Sequence, residues 1–82
     1  MEETRVAILA IVVERADHID QLNEILHEYR KYIIGRMGLP YEKRQISLIS
    51  IAVEAPVSII SAMSGKIGML DGVTAKSVYS KL

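Results

Sequence analysis

The segment Val6-Ala7-Ile8-Leu9-Ala10-Ile11-Val12-Val13 is apolar at every position, and this run constrains the fold more than any other feature of the chain. Eight residues fall far short of the roughly 20 that cross a bilayer as a helix. β-Branched side chains predominate, so Thr4 to Val13 reads as a strand. Successive side chains of a strand point to opposite faces. Ala7, Leu9, Ile11 and Val13 therefore share one face and Val6, Ile8, Ala10 and Val12 the other. Both faces are apolar, the mark of a strand covered on both sides. A second segment, Gln45 to Glu54, repeats the pattern, with Ile49, Ile51 and Val53 opposing Ile46, Leu48 and Ala52.

The remaining elements follow from helical spacing and from turn residues. Ile19, Leu22, Ile25, Leu26 and Tyr29 recur as one helical stripe opposite Gln21, Asn23, Glu24 and Glu28. Asp17 is placed to cap this helix, Asp20 adds charge to its first turn, and Arg30 and Lys31 suit its carbonyl end. Tyr32 to Met37 reads as an edge strand closed by Gly38-Leu39-Pro40, and Tyr41 to Arg44 as a charged loop. Pro56 fits the first position of a second helix, whose buried stripe is Val57, Ile60, Met63 and Ile67. Gly68 is expected to end it in a left-handed cap, with Gly65 allowing close packing on the sheet. Asp71-Gly72 then turns the chain into a last strand, Val73 to Ser80.

The order is β-α-β-β-α-β over one domain, residues 1–82. This predicts an α+β, ferredoxin-like sandwich: a four-stranded antiparallel sheet with two helices on one face. The first and third strands are central in that topology, and they are the two most apolar segments here. Two helices on one side cover only one sheet face. The other would leave an apolar patch larger than monomers usually expose, so a second copy is expected on it. The Leu9/Ile11/Ile49/Ile51 set is assigned to the helices. Val6, Ile8, Ala10, Val12, Ile46 and Leu48 are assigned to the interface of a homo-oligomer, dimer or tetramer.

Composition narrows the chemistry. Ten basic and ten acidic side chains balance to zero, which opposes a nucleic-acid surface. Cysteine is absent, which removes disulfides, thiolate catalysis and cysteine-held metal centres. His18 and His27 lie nine positions apart on one helix and point in nearly opposite directions, so a solvated face explains Glu24, His27 and Glu28 better than a metal. Ser64-Gly65-Lys66 lacks the G-x-x-x-x-G-K-[ST] pattern of phosphate loops and sits at the wrong helix end. Lys66 reads instead as a complement to the helix dipole. Arg30, Lys31, Arg36, Lys43 and Arg44 are candidates for a basic rim at one end of the sheet, but four tyrosines without phenylalanine or tryptophan give little stacking capacity. No catalytic set, cofactor motif or metal site stands out. The acidic Met1-Glu2-Glu3 opening differs from a signal peptide, so a cytoplasmic protein without a membrane partner is expected.

With this order in place, Leu70-Asp71-Gly72-Val73 gives the chain a resemblance to ACT-type ligand-binding modules and to the C-terminal domain of nickel-responsive repressors. The run Met63-Ser64-Gly65-Lys66-Ile67-Gly68, the strand end Ile11-Val12-Val13-Glu14, the turn Arg36-x-Gly38-x-Pro40 and the strand closing Lys76-Ser77-Val78 resemble, almost end to end, the regulator family of the iron-only hydrogenase system. The resemblance implies a ferredoxin-like fold and a non-enzymatic regulatory role, with a small effector held between subunits. The alternative it implies is a protein-interaction or assembly factor for a metalloenzyme system, without a ligand of its own. Arg15-Ala16-Asp17-His18 lacks the glycine that ACT modules place where the first strand meets the first helix. The metal ligands of the nickel repressors also have no counterparts.

Overall fold

The computed structural model describes residues 3–82; Met1 and Glu2 of the acidic opening lie outside the described residues. Strand β1 (Thr4–Val13) leads through a 3-10 turn, Ala16–His18, into helix α1 (Ile19–Glu28). A second 3-10 turn, Arg30–Tyr32, feeds the β2–β3 hairpin (Ile33–Tyr41 and Ile46–Pro56), and helix α2 (Val57–Gly68) precedes β4 (Val73–Tyr79). The sheet is antiparallel in the order β2-β3-β1-β4. This is the ferredoxin-like α+β arrangement, with the two most apolar strands at its centre. Apolar side chains alternate along β1 and β3, so one face of each seals a core against α1 and α2. Leu9, Ile51, Val53, Leu22, Ile60, Met63 and Ile67 have no exposed surface.

Several local expectations give way to tertiary context. Pro40 does not end β2; it pairs in register with Ser47, and the strand runs on to Tyr41. An edge strand bonds on one side only, so proline is tolerated there. Gln45, at φ 55°, completes the hairpin turn before β3 begins. Pro56 closes β3 and forms the extended N-cap of α2 rather than its first helical residue. Val57 is exposed, so the buried stripe of α2 begins at Ile60.

Gly68 stays inside α2, whose C-cap is Met69 in the right-handed region. The left-handed residue is Gly72, at φ 77°. The helix end is closed by Met69 N–H to the Gly65 carbonyl and Leu70 N–H to the Ile67 carbonyl, both at 3.1 Å. The left-handed reversal is needed three residues later, where Val73 N–H bonds the Leu70 carbonyl at 3.1 Å. Gly65 does not pack on the sheet either, since a Cβ there would meet nothing within 4 Å. Asp17 caps no helix: the turns at Arg15 and His18 have no side-chain cap, because the Asp17 carboxylate accepts from Arg15 instead.

Candidate interaction surface

Period two carries straight through to the second face. The even positions of β1 and β3, together with the odd positions of β2 from Gly35 onward, past the bulge that leaves Ile33 on the core side opposite Val53, and the even positions of β4, form a face with no helix over it. Val6, Ile8 and Leu48 are 42%, 48% and 39% exposed; Ala10 is also exposed, and Val12 and Ile46 are half-buried. The registers join them into one surface. Val12 lies opposite Leu48, which lies opposite Leu39; Ile8 lies between Ala52 and Val78. Met37, Leu39, Tyr41 and Val78 extend the patch onto both edge strands, with Met37 and Val78 about two-thirds exposed. These four were not singled out from sequence. The alternation Met37, Leu39, Tyr41 carried the signal, but Gly38 and Pro40 masked it.

Relief on this face comes from residue size. Along one row across the sheet, Ser50 pairs with Ala10, and Ala52 pairs with Ile8 on the next. Small side chains at the centre stand between larger ones, so the face is dished rather than flat. One apolar hollow of about 220 Å³ lies between Ala10, Met37, Leu39 and Leu48. A second of about 210 Å³ lies between Val6, Ile8 and Val78. Neither holds a cluster of ionisable groups.

The polar residues weighed from sequence are dispersed. Arg30 reaches back to the His27 carbonyl at 2.9 Å, capping the end of α1. Lys31 lies over the Tyr32 ring at 5.2 Å, and Arg36 donates to Asn23 Oδ1 at 3.1 Å. Lys43 and Arg44 sit in the turn at the far end of β2, a nine-residue strand of about 30 Å. The expected basic rim is therefore not assembled. Asp20, Asn23, Glu24, His27 and Glu28 line a shallow open strip along α1. Among the described residues no group of three or more His, Cys, Asp or Glu is placed to hold a metal ion.

Lys66 ties the two helices together. Its ammonium lies 3.1 Å from the Glu28 carboxylate and 5.1 Å from the centre of the Tyr29 ring. Tyr29 first, and then the Glu28 carboxylate, hold Lys66 above its ordinary pKa of 10.5. It also lies in the last turn of α2, where a cation suits the carbonyl end. At the β1–α1 corner, Arg15 bridges Asp17 at 2.7 Å and Asp71 at 2.8 Å. Its aliphatic stem covers Gly72, where a Cβ would come within 2.8 Å of Arg15 Cβ. Glu14 N–H donates to the Gly72 carbonyl at 2.7 Å across the same junction. The corner where ACT modules carry glycine is thus filled by an arginine latch.

Comparison with known proteins bears on the family and the fold. The family model described as "TM1266-like: Iron-only hydrogenase system regulator, putative" matches residues 5–77. The chain is similar to a solved structure, that of the uncharacterized protein TM1266 from Thermotoga maritima, with a TM-score of 0.92 and 36% sequence identity. The match covers 96% of this chain and 100% of that one. No curated protein matches.

Proposed function

The chain belongs to the TM1266-like family of iron-only hydrogenase system regulators, and from that premise we propose that it is a non-enzymatic regulatory module acting as a homo-oligomer. Residues 1–82 form one ACT-like domain that works in the cytoplasm. The open sheet face packs on a second copy, and a small effector binds between subunits. The observation that carries this reading is the uncovered apolar face centred on Ile8, Ala10 and Leu48. It is continuous over four strands, and monomers rarely expose so much contiguous apolar surface. The two hollows on that face become enclosed when a second sheet covers them, which is where an effector would be sheltered from water. No described helix is long and apolar enough to cross a membrane.

Native mass spectrometry on gently purified protein tests the proposal, because it weighs the assembly and any retained molecule together. An oligomer with excess mass is the expected result. An oligomer of bare subunits transfers weight to the assembly-factor reading, in which a foreign protein is the partner. A monomer at tens of micromolar overturns the homo-oligomer.

A further inference from the structure

On the open face, the strand positions of the described residues carry one carboxylate, Glu54, and one ammonium, Lys76. Both are exposed, and Lys76 has no ion pair or hydrogen-bond partner among the described residues. Among the described residues Glu54 accepts only the Thr4 hydroxyl, at 3.0 Å. Within one chain the two cannot meet. Glu54 lies beside Val6 on the β3 side of β1, and Lys76 lies beside Ala10 on the β4 side. Two strand spacings and four residues of rise separate them by about 16 Å.

Their placement is nevertheless symmetric about one residue. Ile8 is midway between Val6 and Ala10 along β1, and β1 is midway between β3 and β4. Ile8 is therefore the midpoint of the line from Glu54 to Lys76. An isologous interface demands that if residue i of one copy meets residue j of the other, then j also meets i. A two-fold axis lying between the sheets, crossing over Ile8 at right angles to that line, brings each Lys76 onto the other copy's Glu54.

We propose that the open face is a two-fold interface between two copies of this chain, with Ile8 meeting its mate near the axis and two reciprocal Lys76–Glu54 ion pairs fixing the orientation. The inference rests on the self-association proposed above and adds its geometry. This axis sets the strands of the two copies about 70° apart, so the two faces overlap over roughly 400 Å² in projection before corrugation is counted, a smaller contact than the roughly 800 Å² per partner of a standard interface. The charges serve selection more than adhesion. A lone ammonium buried at an apolar interface is costly, so arrangements that leave Lys76 or Glu54 unpaired are rejected, and this one is not.

The test is a charge swap read by sedimentation equilibrium of the full chain at low salt. Both residues are exposed in the single chain, so the variants fold, and far-ultraviolet circular dichroism verifies this. Lys76→Glu and Glu54→Lys should each weaken dimerisation by about tenfold or more, through like-charge contact. The double variant K76E/E54K should recover to within about threefold of the parent, because the reciprocal pairs re-form with reversed sign. Association of the parent should also weaken as salt rises. If either single reversal leaves the dimer unchanged, or the double variant fails to recover, the pairing is overturned. Ile8→Lys separates the two levels. If it gives monomers while the charge variants do nothing, the face is the interface in another orientation. If it stays dimeric, or the parent is a monomer, the face reading falls and the pairing with it.

Discussion

The two faces of the sheet are built from the same residue types in the same strands, yet they have opposite fates. Leu9, Ile51 and Val53 are sealed under α1 and α2 with no exposed surface. Ile8, one residue along from Leu9, is 48% exposed. Hydrophobicity alone does not separate them. What separates them is the handedness of the two β-α-β crossovers, which places both helices on one side. An apolar side chain therefore reports that a position is meant to be covered, and the topology reports by what. Under the helices the cover is intramolecular and independent of concentration; on the open face the chain's own helices supply none.

The largest expected effect tests that contrast directly. Leu9→Ala should cost about 2–5 kcal/mol of unfolding free energy, measured by urea denaturation. Ile8→Ala, measured dilute enough for monomers, should stay within about 0.5 kcal/mol of the parent. Equal losses would erase the distinction between the faces. Concentration sharpens the same point. The midpoint of thermal unfolding should rise with protein concentration in the parent, as it does wherever association stabilises the folded state, and Ile8→Lys should remove that dependence.

Two glycines extend the comparison to the helical layer. Gly72→Ala places a Cβ at a positive φ and against the stem of Arg15, and should cost about 1–3 kcal/mol. Gly65→Ala meets only open space on α2 and should stabilise by about 0.5–1 kcal/mol, the difference in helix propensity. A loss at Gly65 would mean that the outer side of α2 is also covered.

The smallest effect concerns Lys66, which is half-exposed between the helices. Its folded pKa is raised above 10.5 by Tyr29 and Glu28, so the folded state holds the proton more tightly than the unfolded chain. The contribution is complete below pH 10.5 and lost as pH rises through the folded value. Lys66→Met should therefore be less stable than the parent at pH 8, and the gap should narrow in denaturation curves taken near pH 11. A gap independent of pH would assign the effect to packing of the lysine stem instead.

Sequence by itself determined the order of elements, the fold class, the two central strands and the existence of two apolar faces. Each of these depends on local spacing, which the chain carries in full: Val6 to Val13 alternates whether or not a helix covers it. The helix-facing set Leu9, Ile11, Ile49 and Ile51 could be named, but alternation alone does not say which set the helices take. Tertiary structure decided that, and it decided the points where two segments meet. Pro40 stays in β2 because its neighbour on one side is solvent. Asp17 turns to Arg15 because Asp71 holds the same guanidinium from across the fold. The left-handed glycine is Gly72 rather than Gly68 because the chain must reverse under Arg15, not at the helix end. Glu54 and Lys76, 22 positions apart in the sequence, become symmetric about Ile8 only through the registers of β3 and β4 on β1. Spacing along a chain fixes which face a residue belongs to; only strand pairing fixes who stands beside it there.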